Sequence, residues 1–183
     1  MLAAIVRPSV TEQQADNRNR NHQTMTGNNI LQSVIGQEIK EGIIQSFYYD
    51  EQLSDKLNVV YLKFDKWIHI TTSDEQTIIK EEQPEQIEPF TIDDNKTFVY
   101  QLTKIENEFS DFTNYIGQKL IDFKELVYIN YPDQSCGIKL YFANDLTLIL
   151  FVDINAHSRF SFNNLTRDDI YEKQTTAGNK NCG

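Results

Sequence analysis

Val60-Tyr61-Leu62-Lys63-Phe64 and Ile138-Lys139-Leu140-Tyr141-Phe142 follow one pattern, apolar at every second residue. Each is followed by another alternating run, Ile68 and Ile70 in the first case, Leu146, Leu148 and Leu150 in the second. Alternation marks a half-buried strand, and two such runs around a short loop make a hairpin. Opposed residues of an antiparallel pair share a face, so loop length decides which faces meet. A two-residue turn at Asp65-Lys66 would put His69 on the apolar face. A three-residue loop, Asp65-Lys66-Trp67, sets Phe64 opposite Ile68 and Leu62 opposite Ile70, with His69 on the polar face. The loop Ala143-Asn144-Asp145 likewise sets Phe142 opposite Leu146 and Leu140 opposite Leu148. A one-residue slip would turn the whole apolar set to water, at ~1.5–3 kcal/mol for each side chain. The three-residue loops are therefore expected.

Upstream of each hairpin stands a second likeness. Val34-Ile35-Gly36-Gln37-Glu38-Ile39 matches Tyr115-Ile116-Gly117-Gln118-Lys119-Leu120. Self-similarity of this kind points to an internal repeat of one supersecondary unit. Ile105, Phe109, Phe112 and Ile116 fall on one face of a helix that would stop at Gly117. A shorter helix capped by Asn28 or Asn29 would carry Ile30, Leu31 and Val34 and stop at Gly36. Long strands come next at about 37–49 and 118–130, and fourth strands near 77–80 and 158–162. Residues 97–103 alternate too. The expected fold class is α+β, mostly β: two similar helix–antiparallel β-meander units. The expected boundaries are a disordered polar tail over 1–29, a first unit over 30–82, an acidic connector over 83–96, a second unit over 97–163 and a C-terminal tail over 164–183. The segment 9–29 is almost wholly polar, too poor in apolar area to offset its ordering entropy.

Charge narrows the function classes. The chain of 183 residues has a formal net charge of −10. Residues 30–158 hold 22 acids against 10 lysines and no arginine, a net of −12. Arginine is the usual bidentate reader of phosphates and guanine edges, so nucleic-acid binding is not expected of this body. No apolar stretch approaches the ~20 residues of a membrane-spanning helix. The first six residues are apolar but precede Arg7, the reverse of a secretory signal. With two cysteines, Cys136 and Cys182, no disulfide framework is expected, and the expected location is cytoplasmic. The sharpest acidity runs from Asp74 to Asp94. Asp74, Glu75, Glu81, Glu82, Glu85, Glu88, Asp93 and Asp94 stand there against Lys80 alone. Such a segment reads as a solvated connector or as an electrostatic docking patch for a basic partner. It has Pro84 and Pro89 but no glycine for a calcium loop, so no metal site is expected.

Catalytic motifs are absent from the sequence. There is no nucleophile elbow, zinc-protease motif, paired-cysteine zinc spacing or phosphate loop. His69 reads as a surface imidazole. The strand register sets Cys136 about 17 Å from His157, too far for a thiol–imidazole pair. No catalytic, cofactor-binding or metal-binding residue is assigned, and no cofactor is expected. Trp67, in the expected hairpin loop, is the candidate interface anchor.

Ile35-Gly36-Gln37, Leu62-Lys63-Phe64-Asp65 and Trp67-Ile68-His69-Ile70 together resemble small uncharacterised bacterial α+β domains, some of them similar to immunity proteins of polymorphic-toxin systems. The resemblance covers about residues 30–82 and 112–162. It implies a cytoplasmic body with no catalytic residues that occludes a toxin, and it carries over no functional residue. The expected function is a non-enzymatic protein-binding module, an immunity protein neutralising a basic toxin through an acidic surface. Trp67, Asp74, Glu75, Glu81, Glu82, Glu85, Glu88, Asp93 and Asp94 would contact the partner. The alternatives are a structural or assembly protein pairing through sheet edges, and an unrecognised carboxylate-based hydrolase.

Overall fold

The computed structural model describes residues 25–73, 75–92, 96–153, 155–165 and 167–173. Twelve strands run through them: β1 (Met25–Thr26), β2 (Glu41–Tyr49), β3 (Gln52–Lys63), β4 (Trp67–Thr72), β5 (Thr77–Glu81), β6 (Ile87–Ile92), β7 (Lys96–Lys104), β8 (Leu120–Tyr128), β9 (Tyr131–Phe142), β10 (Thr147–Val152), β11 (Ser158–Phe162) and β12 (Ile170–Lys173). They form a seven-stranded sheet of order β1-β5-β4-β3-β2-β7-β6 and a five-stranded sheet of order β11-β10-β9-β8-β12. Every pairing between named strands is antiparallel except that of β1 with β5.

The expected α+β class is wrong: strands take 61% of the described residues and helix 10%, so the fold is essentially all-β. The helices are α1 (Asn28–Gln32), α2 (Ile105–Glu108) and a 3-10 turn at Ser110–Tyr115. Helices this short are not self-supporting and exist by packing on the sheets. The expected second helix is broken at Phe109, whose φ of −137° and ψ of 88° are not helical. The break rotates the residues beyond it about the helix axis. Ile105 and Phe112 are fully buried, but Tyr115 takes the core place expected of Ile116, which is exposed. The cap of α1 is Gly27 with positive φ, not an asparagine.

Two meanders are built alike. β2, β3, β4 and β5 have 9, 12, 6 and 5 residues, and β8, β9, β10 and β11 have the same four lengths in the same order. Their lead-in segments pair with each other reciprocally. Gly36 N–H donates to Leu120 O while Gly117 N–H donates to Ile39 O, and Ile39 N–H donates to Gln118 O while Leu120 N–H donates to Gln37 O. Glu38 and Lys119 form the bridge between them. Gly36 and Gly117 have φ of +83° and +82°, and a Cβ on either would meet no atom within 4 Å. Each glycine is thus required by the left-handed turn alone.

The second hairpin has the expected register, with Leu140 opposite Leu148. In the first, Leu62 lies opposite Ile68 and Val60 opposite Ile70, two residues from expectation, because Trp67 begins β4 instead of ending the loop. A two-residue shift preserves the faces. The inner faces of the two sheets share one core. Ile44, Val60, Leu62, Ile68, Ile70 and Ile79 come from the first sheet, and Phe123, Ile138, Leu140, Leu148 and Leu150 from the second. Phe112 and Tyr115 belong to it as well. Three placements differ from the expected boundaries. Met25, assigned to the polar tail, is buried in β1. The connector contains β6, and β7, grouped with the second unit, pairs with β2 in the first sheet. Residues 1–24 and 174–183, with Cys182, lie outside the described residues.

Candidate protein-binding surface

The outer face of the seven-stranded sheet is set by its register. Ile43, Gln45, Phe47 and Tyr49 of β2 alternate with the core-facing Ile44, and lie opposite Lys104, Leu102, Tyr100 and Phe98 of β7. On the other flank, Ile43 is opposite Tyr61, and Tyr61 is opposite His69. Two surfaces result, one covered and one open.

The covered one lies over β3 and β4. The chain leaves β5 on one side of the sheet and must reach β6 at the far edge. The inner face is filled by the core, so residues 82–86 pass over the outer face. Glu82 Oε2 stands 3.4 Å from His69 Nδ1. Gln86 Nε2 donates to Tyr100 O at 3.4 Å. Beneath this strap Tyr61 and His69 are buried, although on an outer face. Burial raises the Tyr61 phenol pKa, and Glu82 and Glu85 add to it. Burial lowers the His69 pKa, against the pull of Glu82 and with the push of Lys80. His69 Nε2 is hydrogen-bonded to Thr71 Oγ1 at 2.6 Å. The expected surface imidazole is therefore a buried one, because the acidic connector is not a free loop but a strap laid over the ring.

The open surface lies over β2, β7 and β6. Five rings form a ladder across it. Tyr49 meets Phe98 edge-on at 5.2 Å, and Phe98 stacks on Phe47 at 6.1 Å and on Phe90 at 5.3 Å. Tyr100 stacks on Phe47 at 5.2 Å and on Phe90 at 6.3 Å. Ring pairs of this kind contribute ~0.5–1.5 kcal/mol beyond their buried area, which holds the rings in place without covering them. Phe90 remains 41% exposed, and Ile87 and Ile92 beside it 38% and 54%. Lys96 Nζ sits 5.2 Å above the Tyr49 ring.

The candidate contact residues divide. Glu82 and Glu85 lie exposed along the strap and Glu88 in β6, while Glu81 ends β5 opposite the core-facing Ile68, exposed and held by Lys66 Nζ at 2.6 Å. Trp67 starts β4 on the same outer face, half-buried, with Lys63 Nζ 5.3 Å above its ring. Glu75 is elsewhere. It lies at the other end of β5 and lines an open cleft of about 330 Å³ with Tyr128, Tyr131, Asp153, Arg167 and Asp169. Three of the charged groups of that cleft, Arg167, Asp169 and Asp153, are paired. Arg167 binds the Asp169 carboxylate through Nε and a second nitrogen, and donates to Val152 O. Burial disfavours the Asp153 carboxylate, but Arg159 and the amides of His157 and Asn155 hold its pKa down to about 2. Asp74, Asp93 and Asp94 lie outside the described residues. Among the described residues no three His, Cys, Asp or Glu side chains are grouped to hold a metal ion, and no helix is long and apolar enough to cross a membrane.

The sequence reading did not single out the rings of this ladder. The signal was the alternation of Phe98 and Tyr100 in 97–103, which puts both on one face of a strand. No family model matches this chain, and neither does any curated protein or solved structure.

Proposed function

We propose that this chain is a non-enzymatic protein-binding module that takes a basic partner on the outer face of the seven-stranded sheet. The observation that carries the reading is the ladder of Tyr49, Phe98, Phe47, Tyr100 and Phe90, held in place by ring contacts, with Phe90 exposed and the other four rings half-buried. Rigid aromatic anchors bordered by a polar rim are the make-up of an interface centre. The rim here is acidic, with Glu81, Glu82, Glu85 and Glu88 exposed in and beside the strap. Complementary charge raises the rate of encounter and selects a cationic partner. In its specific form the reading is an immunity protein, acting in the cytoplasm, that neutralises a basic toxin by covering it.

Co-expression with the products of adjacent genes tests the proposal. A basic partner is expected to co-purify at low salt and to be lost at high salt, and a toxic one to be tolerated by cells carrying this chain. Reversing Glu81, Glu82, Glu85 and Glu88 to Lys should weaken the complex at least about tenfold, a loss of ~1.4 kcal/mol. Phe98→Ala should do the same without altering the salt dependence. A partner that binds both variants as tightly as the parent refutes the proposal.

A further inference from the structure

We infer that the basic partner is taken as an added strand on the free edge of β6, through an extended segment whose alternate side chains are apolar. The inference rests on the proposed function and states how that surface is engaged. β6 ends the order of its sheet, so one side of its backbone has no described strand beside it. All six of its residues are exposed. The other terminal strands are shorter or covered. β1 has two residues. β11 is held to β3 by Ser158 Oγ donating to Asp55 Oδ2 at 3.2 Å, and its Phe160 packs on Phe109. β12 has four residues, among them the charged Glu172 and Lys173.

An exposed apolar edge is a template for another strand, and proteins usually blunt it with charge or proline. β6 carries one charge, Glu88, and one proline, Pro89, and beside them keeps Ile87, Phe90 and Ile92 exposed. Phe90 lies opposite Phe98 in the ladder, so an added strand would extend the aromatic face by one more row of side chains. Main-chain hydrogen bonds would supply affinity, and alternate side chains specificity.

Charge and Pro89 together exclude a second copy as the occupant. A two-fold pairing centred on Ile87–Ile92 sets Pro89 opposite Phe90 twice, placing a residue without an N–H on both strands. It also brings together two bodies that each carry 22 acids against 10 lysines over residues 30–158. A foreign strand bearing Lys or Arg on its alternate positions meets one proline and finds Glu85 and Glu88, which have no ion-pair partner among the described residues.

The test uses the full chain, isotopically labelled, and defined probes: a peptide of about eight residues, a common strand length, alternating Lys and Val; the same peptide N-methylated at every second residue in each of the two frames; and a Glu–Val counterpart. The Lys–Val peptide is expected to bind and to slow amide exchange within β6. N-methylation should weaken it at least about tenfold in one frame and not in the other, because only one side of the added strand faces β6. If both methylated frames bind like the parent while the ring signals shift, strand addition is refuted and the proposed function stands. If the Glu–Val peptide binds as well as the Lys–Val peptide, the basic-partner reading is refuted. Absence of Lys–Val binding up to millimolar concentration overturns the inference and leaves the proposed function to the co-expression test. A dimer in native mass spectrometry that Phe90→Lys dissolves overturns it too, since the edge then serves a second copy.

Discussion

Tyr115 is the best place to measure how the turn at Ser110–Tyr115 is locked to the second sheet. Its ring is 1% exposed, lies parallel to Phe112 and meets Phe142 edge-on at 5.5 Å. Its hydroxyl donates to Thr147 O at 2.7 Å, with Asn163 Oδ1 a second acceptor at 3.1 Å. Both acceptors have other donors. Thr147 O also receives the Asn163 N–H at 2.8 Å, and Asn163 Oδ1 receives the Thr147 N–H at 3.1 Å. Tyr115→Phe therefore leaves no acceptor bare, and its cost should be that of an ordinary hydrogen bond, ~1 kcal/mol. Tyr115→Ala removes the ring from a closed core and should cost ~3–5 kcal/mol. Asn163→Gly lies between them at ~1–3 kcal/mol, because the Thr147 N–H loses its acceptor. Glycine is the correct replacement, since Asn163 has φ of +68°. Urea unfolding followed through Trp67, the one tryptophan, reads all three. Burial, with help from Asp111, pushes the Tyr115 phenol up to about 12. A folded pKa raised above the unfolded value of about 10 gives stability that is whole below pH 10 and lost as pH climbs toward 12. Tyr115→Phe should flatten that alkaline loss. If Tyr115→Phe costs as much as Tyr115→Ala, or leaves the alkaline slope unchanged, the assignment of the hydroxyl is wrong.

Two buried titratable groups give further outcomes. His69, facing Glu82, Lys80, Tyr61 and Thr71, has its pKa lowered by burial, so the unfolded chain takes up the proton first. Its contribution to stability is whole above the unfolded value of about 6.5 and is lost as pH falls through the window below it. Thermal melts between pH 7.5 and 5 should show a shallower loss for His69→Gln, and a loss extending to lower pH for Glu82→Gln. Equal slopes in all three proteins would show that the strap does not bury the ring. Burial pushes the Cys136 thiol up to about 12 against the pull of Arg167. In a Cys182→Ser protein, a thiol reagent at pH 8 should find Cys136 silent until denaturant is added, and prompt reaction in the native state would place it at the surface.

How far the sequence could be read depended on whether a residue's place was decided locally. The meander strands were legible because a period of two is written into Val60–Phe64 and Ile138–Phe142. The second hairpin was placed in register because Phe142 N–H does close onto Leu146 O, as the apolar matching demanded. The first slipped by two because matching faces cannot distinguish a shift of two residues from none, and Trp67 suits a strand as well as a loop. The helices were overestimated for a related reason. The spacing of Ile105, Phe109 and Phe112 is honoured by a helical turn, a break and a 3-10 turn as well as by one helix. Least legible was the strap, since only the order β5-β4-β3-β2-β7-β6 forces residues 82–86 across the sheet, and that order is a long-range property.

The same topology accounts for the difference between the two outer faces. Beyond its fourth strand each meander sends the chain across the outside of its own sheet to the edge of its first strand. In the second sheet the crossing falls within residues 163–169 and places one apolar side chain, Leu165, on the sheet. Leu165 packs on a small outer core of Leu126, Cys136, Ile149 and Ile170, and Arg167 lies over Phe151 at 5.9 Å. The chain then pairs β12 with β8, and that small outer core is covered. In the first sheet the crossing is acidic, and only Pro84 within residues 82–86 is even partly buried. It runs on past β7 to form β6, and the hairpin of β6 and β7 adds Phe90 and Phe98 to the part of the outer face that the strap does not cover. A sheet with apolar residues on both faces must have both covered. The second sheet meets that requirement in part from its own chain, and in the first the uncovered rings over β2, β7 and β6 are the surface on which we propose that a partner docks.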